Sequence, residues 1–465
     1  MKTKNIMLSV SGKNWEETNI NKRVLEKIKI DNNFSEIISK LILSRNFTED
    51  EIYSINEEIN FSNPFVNNND FNQFSNILEK NIKRKNKILI IGDYDVDGCI
   101  STSIFTYFLK SNNCSFDYFI PDRFNDGYGA SLKLIKKLVK KVNPKLIIML
   151  DCGSNSSDAI KYLNQNNIES LIIDHHNINK PYPMSKVIIN PKKDCDYKNF
   201  DYLCTASLTY LFLDNYIKKK NLSITIRNFD IYVLMATICD VMPLRNFNRF
   251  FAIQALKKID LNKDPILKKF FEILKIKRKL NINDLGYYIG PIINSAGRIS
   301  NSNIVVELFT SLDENAQYKI INKLFEFNQK RKKIENQVIK LINLDSLSKT
   351  EGILFISNHV MSEGIVGIVA SRIKDYCNKP CIVLTKKGNI FKGSARSTSD
   401  FNIGQYIDDA LKKKILISGG GHNLAAGVTL NSNKLELFKE YLNEIYLKKE
   451  NSNVNFYLSR ISPNS

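Results

Sequence analysis

The chain has 465 residues, enough for two or three domains, and its 43% hydrophobic and 25% charged residues are typical of a globular protein. No run approaches about 18 apolar residues, and the N-terminal segment has no secretory or transit pattern, so we expect a cytoplasmic protein without a membrane span. A net charge of +19 favours an anionic partner such as nucleic acid, although a Lys-, Asn- and Ile-rich coding bias explains the excess equally well. The eight cysteines form no CxxC pair, which predicts free thiols and neither disulfides nor zinc.

Residues 1 to about 80 have the apolar spacing of helices, and the Asn-rich stretch 67–72 predicts a linker. From Lys87 onward, strand patterns alternate with helix patterns. The predicted strands are Ile88–Ile91, Cys114–Ile120, Lys145–Leu150, Ser170–Ile173 and Lys186–Ile189, and the predicted helices between them are Cys99–Leu109, Ala130–Lys141 and Ser156–Asn164. This alternation predicts an α/β fold in which a parallel sheet is covered on both faces, with its ligand site at the carboxyl ends of the strands.

Three carboxylates follow the first strand at every second position, namely Asp93, Asp95 and Asp97. In an extended segment they would all point to one side, where their mutual repulsion predicts a divalent cation. The pattern also resembles the start of a calcium EF-hand loop. That loop requires a preceding helix and a Glu at position twelve, which is Ile104 here. A solvated acidic turn remains the plainer alternative, and Gly98 is predicted to allow a tight turn into the next helix.

Other predicted elements also end in ionisable residues. These are Asp151, the run Asp174, His175 and His176, and Asp240 after the predicted helix Asp230–Cys239. Asp240 alone could simply end its helix, and the two histidines are expected to point to opposite sides, one towards a metal and the other towards substrate. Oxygen and imidazole ligands without thiolates suit Mn²⁺ or Mg²⁺. Two such ions would support phosphoester hydrolysis.

The second half begins with residues 300–345, which are predicted to form one long polar helix. A smaller α/β pattern starts at Gly352, with a helix over Glu363–Tyr376 and a strand over Phe391–Ala395. Ser394 and Arg396 would make a phosphate clamp, and the glycines 419–421 before His422 could cradle another phosphate with consecutive N–H groups. Taken singly, the glycines are equally a flexible turn and the arginine a surface residue.

The motifs GDYDVDG, LDCGSN, IDHH and CDVMPL, in this order, resemble those of the DHH phosphoesterases. IPDRFNDGYG, LGYYIGPIINSAGRIS, EGIVGIVASRI, KGSARS and SGGGHNLAAGVTL extend the resemblance to the RecJ-type single-strand exonucleases over residues 40–430. It implies an α/β fold with a parallel-sheet DHH domain joined by a long helix to a smaller α/β DHH-associated domain. The expected regions are a helical leader (1–80), the DHH domain (81–265), a helical connector (266–345), the DHH-associated domain (346–430) and a C-terminal helix and tail (431–465). The 35 residues after Leu430 are too few for the oligonucleotide-binding barrel common in this family.

The resemblance also implies the roles of individual residues. One metal ion would be held by Asp97, Asp151, His175 and Asp240, and the second by Asp93, Asp95 and the shared Asp151. His176 would face the scissile phosphate, and Asp174 would orient a histidine. The substrate would be bound by Arg123, Arg298, Ser394, Arg396, Gly420, Gly421 and His422.

The function implied by the resemblance is Mn²⁺- or Mg²⁺-dependent removal of nucleotides from the 5′ end of single-stranded DNA, in repair or recombination. A helicase or a single-strand-binding protein would be a partner, and a monomer is expected. Two alternatives remain open at this point: a phosphodiesterase for short oligonucleotides or cyclic dinucleotides, and a catalytically inactive DNA-binding scaffold.

Overall fold

The computed structural model describes residues 19–56, 63–127, 129–193, 199–357 and 361–459, with side chains up to 449. They belong to two compact units, a smaller one drawn from residues 1–64 and 243–258 and a larger one drawn from 65–242 and 259–465. Among the described residues, no helix combines the length and the apolar character that crossing a membrane requires.

Helices and strands make up most of the described chain. The helices are α1 (Lys22–Asn32), α2 (Glu36–Ser44), α3 (Glu49–Asn56), α4 (Asn69–Lys83), α5 (Val96–Ser111), α6 (Leu132–Val142), α7 (Ser157–Gln165), α8 (Thr205–Lys219), α9 (Asp230–Cys239), α10 (Asn246–Lys258), α11 (Pro265–Leu274), α12 (Gly290–Asn294), α13 (Ala296–Ile299), α14 (Asn303–Thr310), α15 (Glu314–Lys340), α16 (Leu344–Ser348), α17 (Val366–Cys377), α18 (Ile403–Lys412) and α19 (Leu435–Ser459). The strands are β1 (Ile88–Ile91), β2 (Phe116–Phe119), β3 (Leu146–Leu150), β4 (Glu169–Ile173), β5 (Val187–Ile189), β6 (Leu354–Ser357), β7 (Cys381–Lys387), β8 (Ile390–Arg396), β9 (Ser418–His422) and β10 (Ala425–Asn431). A π-helical turn, which we name the π-turn, covers Asp284–Ile289.

The smaller unit consists of α1, α2, α3 and α10, and a buried ion pair joins two of its parts. The carboxylate of Glu51 on α3 accepts hydrogen bonds from Arg245 Nε at 2.5 Å and Nη2 at 2.6 Å. It also accepts the amide of Thr48 at 2.9 Å. Burial would raise the pKa of Glu51, but these hydrogen bonds outweigh it and lower the pKa to about 2. The carboxylate therefore stays ionised and fixes α3 to the segment that leads into α10.

The larger unit contains a five-stranded parallel sheet in the order β2-β1-β3-β4-β5. The apolar runs of β1, β3 and β5 are buried throughout, as expected for strands covered on both faces. Helices α6 and α7 pack on one face, and α5 and α8 lie on the other because the chain reverses its direction of winding at β1. The predicted parallel sheet and its helices are confirmed, with element ends shifted by a few residues. All carboxyl ends consequently meet at one edge.

A second sheet follows in the order β6-β7-β8-β10-β9, with β6 parallel to β7 and the other pairs antiparallel. Its core includes Leu384 of β7, Ile407 of α18, and Phe401, which precedes α18. Phe438 and Leu442 of α19 pack into the same core, each fully buried. The C-terminal helix is therefore an integral part of this α/β layer.

The connector differs from the single long helix predicted for residues 300–345. Helix α14 ends at Thr310, and α15 begins at Glu314. Between them the side chain of Asp313 accepts the amide of Asn315 at 2.9 Å, and Gln317 Nε2 donates to the carbonyl of Ser311 at 2.8 Å. The prediction of one helix is wrong because Asp313 caps the start of a new helix. The sequence did not reveal this break, since an aspartate in a polar stretch is also compatible with a continuous helix.

The Asn-rich linker is likewise shorter than predicted. Asn68 accepts the amide of Phe71 at 3.1 Å, and α4 begins at the next residue, Asn69. Part of this asparagine run is therefore a helix cap and a first helical turn rather than a linker.

Candidate metal centre

The loop after β1 brings the first carboxylates to the sheet edge. The side chain of Asp95 caps α5 by accepting the amide of Gly98 at 3.1 Å. A Cβ at Gly98 would lie 2.5 Å from the backbone nitrogen of Asp93, so the predicted tight turn at this glycine is confirmed. The expectation of a fully extended segment is wrong, because α5 begins at Val96 and Asp97 is already helical. Asp97 therefore faces a different set of partners from Asp93 and Asp95.

Asp97 is anchored by the N-terminus of α8. Its Oδ2 accepts the amide of Thr205 and its Oδ1 that of Ala206, both at 2.8 Å. Free N–H groups at a helix start favour a carboxylate at this position. Burial and then the neighbouring Asp95 nevertheless raise the pKa of Asp97 to about 6.

Asp151 is the residue directly after β3 and the most central of the acids. Its φ of 61° is unusual for a residue with a side chain. Its amide donates to the carbonyl of Ile173 at 3.0 Å, and its Oδ1 accepts the hydroxyl of Thr205 at 3.0 Å. Burial and then Asp97 raise the pKa of Asp151 well above its usual range.

Asp174 follows β4 and organises the two histidines. Its Oδ1 accepts the amides of His175 at 2.8 Å and His176 at 3.1 Å, and it lies 2.8 Å from His176 Nδ1. Its Oδ2 accepts the amide of Ser154 at 3.1 Å. Burial acts to raise the pKa of Asp174, but its hydrogen bonds lower it below the usual range. Burial conversely opposes the charged form of His176, whereas Asp174 raises its pKa to about 9, which makes His176 a cation at neutral pH.

His175 occupies the centre of the acidic cluster. Its Nε2 lies 3.3 Å from Asp240 Oδ2, 3.5 Å from Asp151 Oδ1 and 3.9 Å from Asp97 Oδ2. Burial lowers the pKa of His175 to about 3, so the ring is neutral and has a lone pair for a metal ion. The two imidazole rings are neighbours, with centroids 4.7 Å apart. The prediction that they point to opposite sides is wrong, because residues 174–176 form a loop around Asp174 instead of continuing the strand.

Three overlapping sets of side chains could each hold a cation, with ligand atoms within 4.8 Å of one another. The sets are Asp97, His175 and Asp240; Asp93, Asp95 and Asp151; and Asp151, His175 and His176. Asp93 Oδ1, Asp240 Oδ2 and both ring nitrogens of His175 are buried and have no hydrogen-bond partner among the described residues. Burial and then nearby carboxylates raise the pKa values of Asp93 and Asp240 to about 8. Buried polar atoms without partners, in a crowd of acids, fit divalent cations bound by oxygen and imidazole.

Beside the acids lies a group of three arginines. Arg123 stacks on the ring of Tyr94 at 4.1 Å, and its Nε is buried without a described partner. Arg298 Nη1 donates to the carbonyl of Gly364 at 3.0 Å. Burial and then the Arg123 guanidinium lower the pKa of Arg298 to about 10, and Arg396 acts in the same direction. Guanidinium groups close enough to repel one another are suited to bind an anion.

The second sheet carries the two residues of the predicted phosphate clamp. Arg396 Nη1 donates to Ser394 Oγ at 2.6 Å, and its Nε donates to Ser371 Oγ at 3.2 Å. Arg396 is therefore half-buried and held in place, so the alternative of an ordinary surface residue does not apply.

Gly419–Gly421 form part of β9, paired with β10, and are not a flexible turn. N–H groups alternate in direction along an antiparallel strand, so the expected run of consecutive free N–H groups is wrong. Gly420 and Gly421 instead provide a side-chain-free edge of the sheet. At its end, His422 Nδ1 lies 3.4 Å from Asn177 Nδ2, close to the histidine loop.

Two polar residues of this site were not predicted from sequence patterns. Thr205 contacts both Asp97 and Asp151, and the only signal for it was the small-residue helix start CTAS. Lys192 is half-buried, and its amide donates to Asn190 Oδ1 at 2.8 Å, while Asn190 Nδ2 donates to the carbonyl of His176 at 2.9 Å. Burial lowers the pKa of Lys192, whereas the negative charge of Asp240 raises it.

The chain is similar to known proteins both in sequence and in fold. Residues 87–237 match the model of the DHH family, N-terminal domain, and residues 351–448 match the DHHA1 domain. The chain is 30% identical over 391 residues to the single-stranded-DNA-specific exonuclease RecJ of Escherichia coli, covering 79% of this chain and 68% of that protein. It is 32% identical over 402 residues to RecJ of Haemophilus influenzae, covering 80% and 68%.

The fold is also similar to a solved structure, the crystal structure of RecJ in complex with Mn²⁺ from Thermus thermophilus. The TM-score is 0.79 at 20% identity, with 92% of this chain and 61% of that chain covered. The chain thus spans about two thirds of the length of the E. coli and H. influenzae proteins and 61% of the Thermus chain. On the strength of the two matched domains and the extended similarity, the chain belongs to the DHH family and, within it, to the RecJ-type exonucleases.

Proposed function

We propose that this chain is a metal-dependent exonuclease that hydrolyses phosphodiester bonds of single-stranded DNA from the 5′ end, in DNA repair and recombination. The observation that carries the proposal is the convergence of Asp93, Asp97, Asp151, His175 and Asp240. Within this group Asp93 Oδ1, Asp240 Oδ2 and both ring nitrogens of His175 are buried and have no hydrogen-bond partner among the described residues. The names of its relatives give the substrate and the metals.

Two Mn²⁺ or Mg²⁺ ions would be held here, one by Asp97, Asp151, His175 and Asp240, the other by Asp93, Asp95 and Asp151. Bound in this way, the ions would supply a nucleophilic water and stabilise charge on the leaving oxygen. Asp151 is suited to belong to both sets because it lies in the group with Asp93 and in the group with His175.

His176 and Asp174 act on the substrate side of the metals. Asp174 accepts a hydrogen bond from Nδ1 of His176 and keeps the ring cationic, so His176 is suited to stabilise negative charge on the phosphate during cleavage. Lys192 adds a second positive charge near Asp240. Without these two positive charges, the carboxylates would repel the negatively charged phosphate of the substrate.

The arginine group sets the polarity of cleavage. Arg123, Arg298 and Arg396 would bind a terminal 5′ phosphate, with Ser394 as a further donor. A phosphate fixed at that point positions the next phosphodiester at the metals. Gly420, Gly421 and His422 would complete the cleft from the second sheet, where the two glycines leave the edge strand without side chains.

The finer expectations are part of the same proposal. The chain would work as a monomer in the cytoplasm, with a helicase or a single-strand-binding protein supplying the strand. The DHH domain would cover 81–265, the connector 266–345 and the DHH-associated domain 346–430, flanked by 1–80 and 431–465. The 351–448 match supports treating α19 together with the second sheet.

Hydrolysis of single strands labelled at the 5′ or 3′ end, over graded lengths and with Mn²⁺, tests the proposal. Release of 5′-labelled mononucleotides before any shortening from the 3′ end is expected. The matched inactive variant is Asp240→Asn, because Asp240 Oδ2 has no described hydrogen-bond partner, whereas Asp97 accepts two amides that the fold needs. Turnover restricted to dinucleotides, or undiminished activity of Asp240→Asn, would overturn it.

A further inference from the structure

We infer that an exposed surface beside the metal centre binds single-stranded nucleic acid through base stacking and phosphate contacts. The inference rests on the proposed function, because it extends the path of the strand beyond the cleaved bond. The surface, which we name the tyrosine–lysine surface, consists of Lys275, Lys277, Arg278, Lys279, Tyr287 and Tyr288.

The two tyrosines stand on a rigid support next to a predicted metal ligand. They belong to the π-turn, whose inner residues Leu285 and Ile289 are fully buried. A Cβ at Gly290 would lie 2.3 Å from Cys239 Sγ, so the end of the π-turn packs directly against the end of α9. Asp240 is the residue after Cys239. The π-turn is therefore packed against the helix that leads directly into Asp240.

Tyr287 is 77% exposed and Tyr288 is 49% exposed. A single exposed aromatic is common, but these two are adjacent on a π-helical turn, and π-helical turns are frequent at functional sites. An exposed aromatic face can stack on any base, which suits an enzyme that processes strands regardless of sequence.

The cations are attached to the same π-turn. Arg278 donates from Nη1 and Nη2 to the two carboxylate oxygens of Asp284, both at 2.7 Å, and Asp284 is the first residue of the π-turn. This ion pair therefore joins the basic segment 275–279 to the start of the π-turn that carries the two tyrosines. Lys275, Lys277 and Lys279 are exposed and form no ion pair with any residue that the structure describes.

The combination of charge and aromatic faces favours nucleic acid over other partners. Three lysine amines without an ion-pair partner attract a phosphate backbone, and the rings of the two adjacent tyrosines can stack on bases. An acidic peptide would use the lysines but would gain little from two flat polar rings. Binding of an acidic peptide in place of a strand is therefore the competing outcome.

The experiment measures binding of a fluorescent 20-nucleotide oligothymidylate in EDTA, where hydrolysis cannot contribute. Tyr287→Ala combined with Tyr288→Ala is expected to weaken binding at least about fivefold, the effect of losing one stacked base. Tyr287→Phe with Tyr288→Phe should bind like the wild type, because the ring faces are kept. Tyr53→Ala, at a tyrosine that is 60% exposed on α3, is the matched control and should change nothing.

The lysines are tested by the salt dependence of the same affinity. Lys277→Gln with Lys279→Gln should reduce the slope of log Kd against log salt by about 1.4, or about 0.7 per lost phosphate contact. Unchanged affinity of the double alanine variant overturns the inference. The inference is also overturned if poly-glutamate displaces the wild-type protein from the labelled strand and unlabelled oligothymidylate does not. Because the readout is binding, loss of hydrolysis in the wild type would refute the proposed function alone.

Discussion

Thr205→Val is expected to weaken manganese binding without disturbing the fold. The hydroxyl of Thr205 donates to Asp151 Oδ1 at 3.0 Å, whereas its amide, which donates to Asp97, is retained in the valine variant. A hydrogen bond to a charged group contributes about 1.5–3 kcal/mol, and residues that orient a metal ligand typically change metal affinity by about 10- to 100-fold. We therefore expect the manganese affinity to fall within that range.

The same helix provides a matched control. Thr209, one turn further along α8, is fully buried, and its hydroxyl has no hydrogen-bond partner among the described residues. Thr209→Val makes the same chemical change, in the same helix, away from the acids. Its free energy of unfolding should stay the same or rise slightly, because an unpaired buried hydroxyl is removed.

Calorimetric titration with MnCl₂ measures both variants, and thermal unfolding in EDTA checks that each is folded. At low manganese the nuclease rate of Thr205→Val should drop about as much as its affinity, and it should recover when manganese is raised. Equal manganese affinities for Thr205→Val and Thr209→Val would refute the reasoning that Thr205 orients Asp151.

Three further predictions concern other parts of the molecule. Gly98→Ala places a Cβ 2.5 Å from the backbone nitrogen of Asp93, so it should lower the free energy of unfolding by about 2–3 kcal/mol and weaken manganese binding. The control is Gly427→Ala, where no atom lies within 4 Å of the added Cβ. Glu51 has a pKa lowered to about 2, so its ion pair stabilises the fold above pH 4.5 and is lost as the pH falls towards 2. Glu51→Gln should therefore lower the unfolding temperature at pH 7 and flatten the decline of that temperature between pH 4.5 and 2. A decline as steep as in the wild type would contradict this. Arg123→Gln should raise the KM for a 5′-phosphorylated strand by about tenfold and leave that for a 5′-hydroxyl strand almost unchanged, whereas equal changes for both strands would remove the arginine group from the phosphate site.

The sequence was sufficient where chemistry follows directly from local pattern. Apolar strands that run into Asp93, Asp151 and Asp174 predict a parallel sheet with acids along one edge, because the carboxyl ends of parallel strands share that edge. Of the ligand sets that the family resemblance implies, Asp93, Asp95 and Asp151 form one group of neighbouring side chains, and Asp97, His175 and Asp240 form another. The group of Asp151 with His175 and His176 was not predicted. Gly98 was also predictable, since a strand that turns at once into a helix requires a close approach of the backbone.

What sequence patterns did not predict depends on contacts between distant segments. Thr205 contacts Asp97 across more than a hundred residues of chain, and an uncharged threonine at a helix start has no local feature that points to a metal site. The histidine loop closes because Asp174 accepts amides from the two residues after it, whereas strand periodicity predicts alternation. Lys192 was one of many lysines in a basic chain, and only its burial beside Asp240 distinguishes it.

The most direct test of the account is an anomalous difference map from crystals of the protein soaked in MnCl₂. Two peaks are predicted, about 3.5–4 Å apart, one among Asp97, Asp151, His175 and Asp240 and the other among Asp93, Asp95 and Asp151. A map with no peak within bonding distance of Asp151 would contradict the proposed metal centre, and with it the exonuclease mechanism.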